Sequence, residues 1–499
     1  MGYSETQQKA NRLAAAGGRI CSLVGTPRLF LIFFAFGFQI LAHILTAFGP
    51  KGWQPLFTSL SVILWLIFFA VVFMMAIPAI DRRLSPYLKH LRRAAIGVGL
   101  VLLIIGIVEF VGINLLNRGA LEVDGKEIEM ASTYSQEIGY NDGTAMIHLA
   151  GEKLLEAKNP YTEVNLFEAF DEFGLSAEHH TTPLKDGTFA ETFPYPTEEE
   201  IDRVWQEAKA NPNPDTPPSE FESKLAYPAG SFLFLTPFLA FGLHDLRYFY
   251  LLCALLMFAV IMWQSPKKLW PLVVLVALAS LEMWNDIAFG GTGSLYLLFL
   301  LLGWILLPRN LWLSAVFMGL AATSKQLAWF FIPFYLVFIL RQFGWQRSLQ
   351  LSGVIGGIFF VTNIPFILGA SQAWAESLLA PVIDPMFPRG VGIVAFSVVG
   401  IIPPGTSITY VLMELAVFVV CLVWYYYNCR RYSDAALVLA VLPLFFAWRS
   451  FSIYFYPAAI LVFVAVLLSC RRPILPQTLT GKVKPANDRD YALLPVGQS

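Results

Sequence analysis

Apolar residues run along this chain in long stretches, broken by short basic loops and once by an extended polar segment. Three stretches come first, at roughly 29–48, 57–80 and 94–116, each near the ~20 residues that a bilayer's hydrocarbon core demands of a helix. After the polar segment the chain is apolar again from Tyr227, with runs near 229–243, 248–263, 269–283, 293–307, 311–323, 326–340, 349–369, 408–427, 434–447 and 451–469. Several of these are shorter than a full crossing. That predicts broken or half-crossing helices lining a cavity, because unbonded backbone groups cannot face lipid. The pattern predicts an all-α integral membrane protein, a multi-span bundle of about 11–13 spans with a large external loop after the third.

Five parts follow: an N-terminal cytoplasmic segment 1–28, three transmembrane helices over 29–117, an extracytoplasmic loop 118–226, a transmembrane bundle 227–470, and a polar, proline-bearing tail 471–499 that reads as cytoplasmic and disordered. Within the loop, YNDGTAMIHLAGEKLLEAKNPY (140–161) is a polar turn carrying Asp142, then a run with Met146, Leu149, Ala150, Leu154 and Ala157 at helical spacing, stopped by Asn159-Pro160. It predicts a helix lying along the interface, with Asp142 on its first turn and His148 at the surface. Leu166, Phe167, Phe170 and Phe173 form a second apolar face ending at Gly174. A capping box at Thr197–Glu200 opens a helix through Trp205 to Ala210, and Asn211–Ser219 reads as a linker. These pieces are expected to rest on the bundle rather than fold independently. Farther on, Ser371–Leu379 reads as an interfacial helix and Pro381–Gly390 as an ordered or mobile lid.

Composition agrees with the class: 57% of the 499 residues are hydrophobic, 15% aromatic and 14% charged. The net charge of -1 conceals an asymmetry, since 23 of the 35 acidic residues but only 8 of the 34 basic ones lie between Arg118 and Lys224. Such a split fits opposite sides of a membrane and suggests no nucleic-acid partner. Arg82, Arg83, Lys89, Arg92 and Arg93 place the loop after the second stretch in the cytoplasm, so the acidic segment is outside. Lys267-Lys268, Arg309, Arg341–Arg347, Arg430-Arg431 and Arg471-Arg472 are assigned inside by the same rule. Two apolar runs lie between an external Tyr227 and Lys267 where an odd number of crossings is required, so one of them is re-entrant or the parity fails. On this topology the turns at 285–293, 324–326, 369–390 and 449–450 open on the side of Asp142. The cysteines (21, 253, 421, 429 and 470) sit in or beside apolar stretches and suggest neither disulfide nor zinc framework.

Tyr227-Pro-Ala-Gly230, Asn285-Asp286 followed by Gly290-Gly-Thr-Gly293, and Gly319-Leu-Ala-Ala-Thr-Ser-Lys-Gln326 come in that order after Asn159-Pro160-Tyr161 and an external acid. In this order, over roughly 134–390, the chain resembles polytopic GT-C glycosyltransferases, especially glycosyltransferase family 87 and polyprenyl-phosphate-mannose-dependent mannosyltransferases. It departs from that pattern at Ala229, where a proline is expected, and in its second external turn. The resemblance implies a multi-pass protein of a prokaryotic plasma membrane. It also implies transfer of a sugar from a polyprenyl-phosphate donor to a glycan, lipid or protein acceptor on the external face, with inversion. That chemistry needs a carboxylate to accept the acceptor's proton and cations to hold the leaving phosphate. Asp142 is the candidate base; Lys325, Arg389 and Arg449 are candidates for the phosphate. Asn285, Asp286, Gln326 and Tyr227 are candidates for substrate binding.

Blander readings stand beside these. Asp142 also reads as a helix cap, Lys325 as a snorkelling anchor, Arg449 as a topological anchor, and Glu109 as a structurally paired intramembrane acid. Asp286 reads as a sugar ligand, a helix cap or part of a metal site; Glu282, one turn earlier, permits a shared site. No cofactor is specified, a divalent metal is left open, and no metal ligands are assigned; His179-His180 lacks a spaced carboxylate partner. A secondary transporter or flippase would share the broken helices but should show an internal repeat, and no matching halves are found. A non-catalytic scaffold would not explain Asp142, Lys325 and Arg449 converging on one side.

Overall fold

The computed structural model describes residues 26–117, 140–210 and 219–469. The predicted linker after Ala210, the C-terminal tail and most of the N-terminal segment lie outside the described residues.

Among the described residues eight helices are long and apolar enough to cross a membrane, and a ninth span is formed if a pair bent by 51° counts as one. Four more apolar helices have 10–17 residues, so the short runs of the sequence are short helices here. The main elements are α1 (Leu31–Phe48), α2 (Gln54–Ala76), α3 (Leu88–Asn117), α4 (Asp142–Leu155), α5 (Leu246–Gln264), α6 (Trp270–Ala279), α7 (Leu281–Ala288), α8 (Gly293–Leu306), α9 (Leu311–Ser324), α10 (Phe331–Phe343), α11 (Trp345–Ile383), α12 (Ser407–Asn428) and α13 (Tyr456–Ser469). Between Tyr227 and Lys267, 230–240 is one of the short helices while α5 is long enough to cross. The re-entrant alternative therefore has a structural counterpart.

Uniformly apolar helices can be sorted only by what surrounds them. Every residue from Tyr456 to Leu467 is buried, which makes α13 the central helix. α12 carries exposed Leu412, Leu415, Val419 and Val420, and α3 exposed Ile104, Ile107 and Val108. Those side chains are suited to lipid. Around α13 the core is aromatic: Trp65 meets Phe68 and Phe455 edge-on at 5.3 Å, and Phe69 meets Phe445 and Phe455 at 5.5 and 5.0 Å.

Where helices stop inside the bundle, tryptophan side chains add donors to the last carbonyls. At Ser280, between α6 and α7, the Trp284 indole donates to the Ala277 carbonyl at 2.8 Å. At Lys325, after α9, the Trp329 indole donates to the Ala322 carbonyl, again at 2.8 Å. The same device, seven residues apart, makes both breaks tolerable in an apolar setting. α11 breaks at Ala370 (φ -160°, ψ 70°). Fully buried Asn363 ties this break to its neighbours, accepting from Ala229 N and the Trp374 indole, each at 3.1 Å.

The polar loop settles on the bundle, as its pattern predicts. Thr197 and Glu200 form the capping box reciprocally, at 2.8 and 3.3 Å, and Asn165 caps the helix Leu166–Glu172. Lys185 N donates to Pro385 O at 2.6 Å, and Lys224 Nζ reaches Asp384 at 2.6 and 2.9 Å. One expectation changes. The helix bearing Asp142 does not lie open along an interface, since Thr144 to Gly151 are all buried. After Pro381 the chain is tied down: Arg389–Gly390 (β1) pairs in parallel with Arg449–Ser450 (β2), and Trp448 Nε1 donates to Met386 O at 2.6 Å.

Candidate active site

The first turn of α4 is docked on the Gly290–Gly293 turn. Asn141 accepts from Thr144 N at 2.8 Å as the N-cap and donates to Phe289 O at 3.4 Å. The Thr144 hydroxyl donates to the Gly290 carbonyl. Asp142 Oδ1 accepts the N–H of Gly143 at 2.7 Å, and no ion pair engages the carboxylate among the described residues. A Cβ on Gly143 would come within 2.5 Å of Tyr227 Oη, so the Tyr227 hydroxyl lies against the same turn.

His148 is inside rather than at the surface. It is 2% exposed, stacks on Phe173 at 4.6 Å and meets Tyr140 Oη at 3.3 Å. Burial lowers its pKa to about 4, against the raising effect of Asp245, so the ring is neutral near pH 7. The sequence misleads because helical spacing reports one apolar face, whereas this helix is covered on all sides. Tyr140 also receives the Leu246 N–H at 2.5 Å, fastening the base of α4 to the start of α5.

Across from this turn, the parallel ladder makes Arg389 and Arg449 register partners. Adjacent strands stand about 4.8 Å apart. Arg389 Nη1 donates to Tyr195 Oη at 3.3 Å and its guanidinium lies 5.1 Å from that ring's centre. The Arg449 guanidinium lies 4.9 Å from the Phe451 ring, its Nη1 is 2.9 Å from Met386 Sδ, and its buried Nε has no acceptor. Neither arginine meets a carboxylate among the described residues. Tyr195 gathers the set: burial raises its phenol pKa, the charges of Arg389 and Arg449 oppose that shift, and the charge of Asp142 adds to it. Tyr454 lies within electrostatic reach of Arg449, Asp142 and Asp286. The Tyr227 hydroxyl is reached by the same three charges.

Asp286 and Lys325 form a deeper layer. Asp286 is 4% exposed and accepts from Tyr456 Oη at 2.8 Å. A Cβ on Gly291 or Gly293 would collide with its carboxylate oxygens, so the glycines let the turn wrap it. Lys325 is the strongest charged neighbour of Asp286, and Asp286 of Lys325. No hydrogen bond or ion pair within 4 Å engages the Lys325 ammonium among the described residues; its Nζ lies 5.7 Å from the Tyr296 ring centre. Glu282 does not share the partners of Asp286: it faces His43 Nε2 at 3.1 Å and accepts from the Ser452 hydroxyl. Gln326 donates to Ala226 O at 2.7 Å, and Asn285 donates to Glu109 at 3.5 Å. These two amides hold protein groups, and Glu109 has the structural partner expected of it. Among the described residues no group of three or more His, Cys, Asp or Glu side chains could hold a metal ion.

Sequence reasoning missed Tyr195, Tyr454 and His43. The first stands between two prolines and the second in an aromatic run, where a tyrosine reads as an interfacial residue; His43 gives no signal within its apolar stretch.

The helices and broken spans define a polytopic all-α membrane protein, with its unpaired acid and arginines gathered where helices stop. Residues 225–448 match the model of glycosyltransferase family 87, which supports a membrane glycosyltransferase of that GT-C-like kind. The matched stretch contains Tyr227, Asn285, Asp286, Lys325, Gln326 and Arg389, ends one residue before Arg449, and excludes α1 to α4 with Asp142. No curated protein and no solved structure matches the chain.

Proposed function

We propose that this chain transfers a sugar, mannose or another hexose or pentose, from a polyprenyl phosphate to an acceptor hydroxyl on the extracytoplasmic face of a prokaryotic plasma membrane. Asp142 takes the acceptor's proton as its oxygen attacks the anomeric carbon. The bond from that carbon to the phosphate oxygen breaks, and polyprenyl phosphate leaves with inversion at the sugar. Arg389 and Arg449 hold the leaving phosphate. Lys325, balanced by Asp286, is the deeper cation of the set, and Tyr227 and Tyr195 border the substrate.

One observation carries this reading: Arg389 and Arg449 are ladder partners, neither meets a carboxylate among the described residues, and Arg389 donates to the Tyr195 hydroxyl, whose electrostatic surroundings also include Asp142. A phosphate taken by both guanidiniums would offset their like charge and form charge-assisted hydrogen bonds. The opposed carboxylate is free to accept a proton because it is not spent on a cation.

Asp142→Asn tests the assignment. Turnover should fall by about 10²–10⁴-fold, the usual contribution of a general base, while decaprenyl phosphate binding is retained. Full turnover in that variant rules Asp142 out as the base. Unchanged phosphate binding in Arg389→Ala/Arg449→Ala removes the arginines from the donor site.

A further inference from the structure

The first two helices lie outside the family match, yet they bring an unassigned polar cluster to the edge of the arginine pair. Gln39 and His43 stand one turn apart on α1, and Trp65 of α2 meets the His43 ring edge-on at 5.6 Å. The Gln39 amide nitrogen and the Trp65 indole nitrogen are buried, in side chains 2% and 0% exposed, and neither has an acceptor among the described residues. His43 reaches Glu282, whose other oxygen receives the Ser452 hydroxyl. Ser452 follows Arg449 by three residues, so this cluster and the arginine pair share one loop.

We propose that Gln39, His43, Trp65 and Glu282 form a subsite for the sugar ring of the lipid-linked donor; this rests on the reading of Arg389 and Arg449 as the phosphate holders. The donor and acceptor inventory selects the ligand class. A carboxylate has about four lone-pair sites; Glu282 uses one on Ser452, and His43 Nε2 lies 3.1 Å away without a hydrogen-bond partner among the described residues. At least two remain for hydroxyl protons. Gln39 and Trp65 supply N–H groups for hydroxyl oxygens, and an apolar wall with a few convergent polar groups is how such pockets fix orientation. A sugar hydroxyl donates and accepts at once, so it suits both halves of the cluster. A second phosphate does not, because Glu282 would repel it. Burying the two N–H groups without acceptors is costly to the fold, which gives them a reason to await a ligand rather than merely to pack.

The test uses the full chain in nanodiscs with four probes: decaprenyl phosphate and its mannosyl, glucosyl and arabinosyl derivatives. Wild type should bind at least one glycosylated lipid about tenfold more tightly than the bare phosphate, the advantage a few hydrogen bonds confer. Gln39→Leu and Trp65→Phe should each remove about 3–10-fold of that advantage and leave bare phosphate affinity unchanged, which also shows that the variants fold. Arg449→Ala should weaken all four. Two outcomes overturn the subsite alone: no glycosylated lipid preferred by wild type, or both variants matching wild type on every probe, as when the two donors are bound by ordered water only. If the arginines do not control binding of the bare phosphate, the donor reading fails and the subsite falls with it.

Discussion

The segment that carries Arg389 is fastened by a carboxyl pair, and that fastening should loosen in alkali. Glu222 is 6% exposed; its Oε1 accepts the Lys224 N–H at 2.9 Å, and it stands beside Asp384, whose carboxylate takes Lys224 Nζ at 2.6 Å. Burial first, then the hydrogen bond with Asp384, raises the Glu222 pKa from 4.5 to about 8. The folded chain therefore keeps a proton that the unfolded chain releases. Its stabilising effect is fully present below about 4.5 and is lost as pH rises through about 8, at up to about 1.4 kcal/mol per pH unit. Ionised Glu222 would put a second buried negative charge beside Asp384 with one ammonium between them. Because Asp384 begins the run to Arg389, amide exchange over 384–390, corrected for its intrinsic pH dependence, should accelerate between about pH 6 and about pH 9. Glu222→Gln copies the protonated carboxyl in shape and hydrogen bonding and should abolish that acceleration. Equal pH slopes in wild type and Glu222→Gln would refute the reasoning.

Other consequences can be measured on the same preparation. His148 has the opposite sign to Glu222. Its pKa is lowered to about 4 by burial, so the folded state should lose stability as pH falls from about 6.5 toward about 4; tryptophan fluorescence of thermally scanned nanodiscs should show this, and His148→Gln should blunt it. Gly291→Ala drives a methyl into the Asp286 carboxylate and should cost about 1–3 kcal/mol, seen as a lower melting temperature and as looser protection of 286–293. Tyr195→Phe removes the hydroxyl that receives Arg389 and should weaken decaprenyl phosphate binding by about 3–10-fold, with a smaller effect when Arg389 is already alanine.

Much of the fold could be read from the sequence because a bilayer imposes one rule on every span. Lengths of apolar runs, basic loops, the stop at Asn159-Pro160 and the capping box at Thr197 follow from backbone hydrogen bonds that have nowhere else to go. The site was less readable for a corresponding reason. Arg389 and Arg449 are joined by a two-residue ladder, too short to leave an alternating pattern, across sixty positions of chain. Gln326 is a substrate-binding candidate through the family resemblance, and the structure adds that its amide nitrogen donates to Ala226 O beside the Tyr227 entry. Short runs do mark where helices break, and the structure adds why those breaks hold: Trp329 donates to the Ala322 carbonyl, and Trp284 adds a second donor to the Ala277 carbonyl, which also accepts Ser280 N–H. Four interruptions, at Ser280, Gly290, Lys325 and Arg449, carry or flank Glu282, Asp286, Lys325 and the arginine pair. At these four places the chain leaves its helical hydrogen bonding and polar side chains gather, so the devices that permit the breaks also position much of the chemistry.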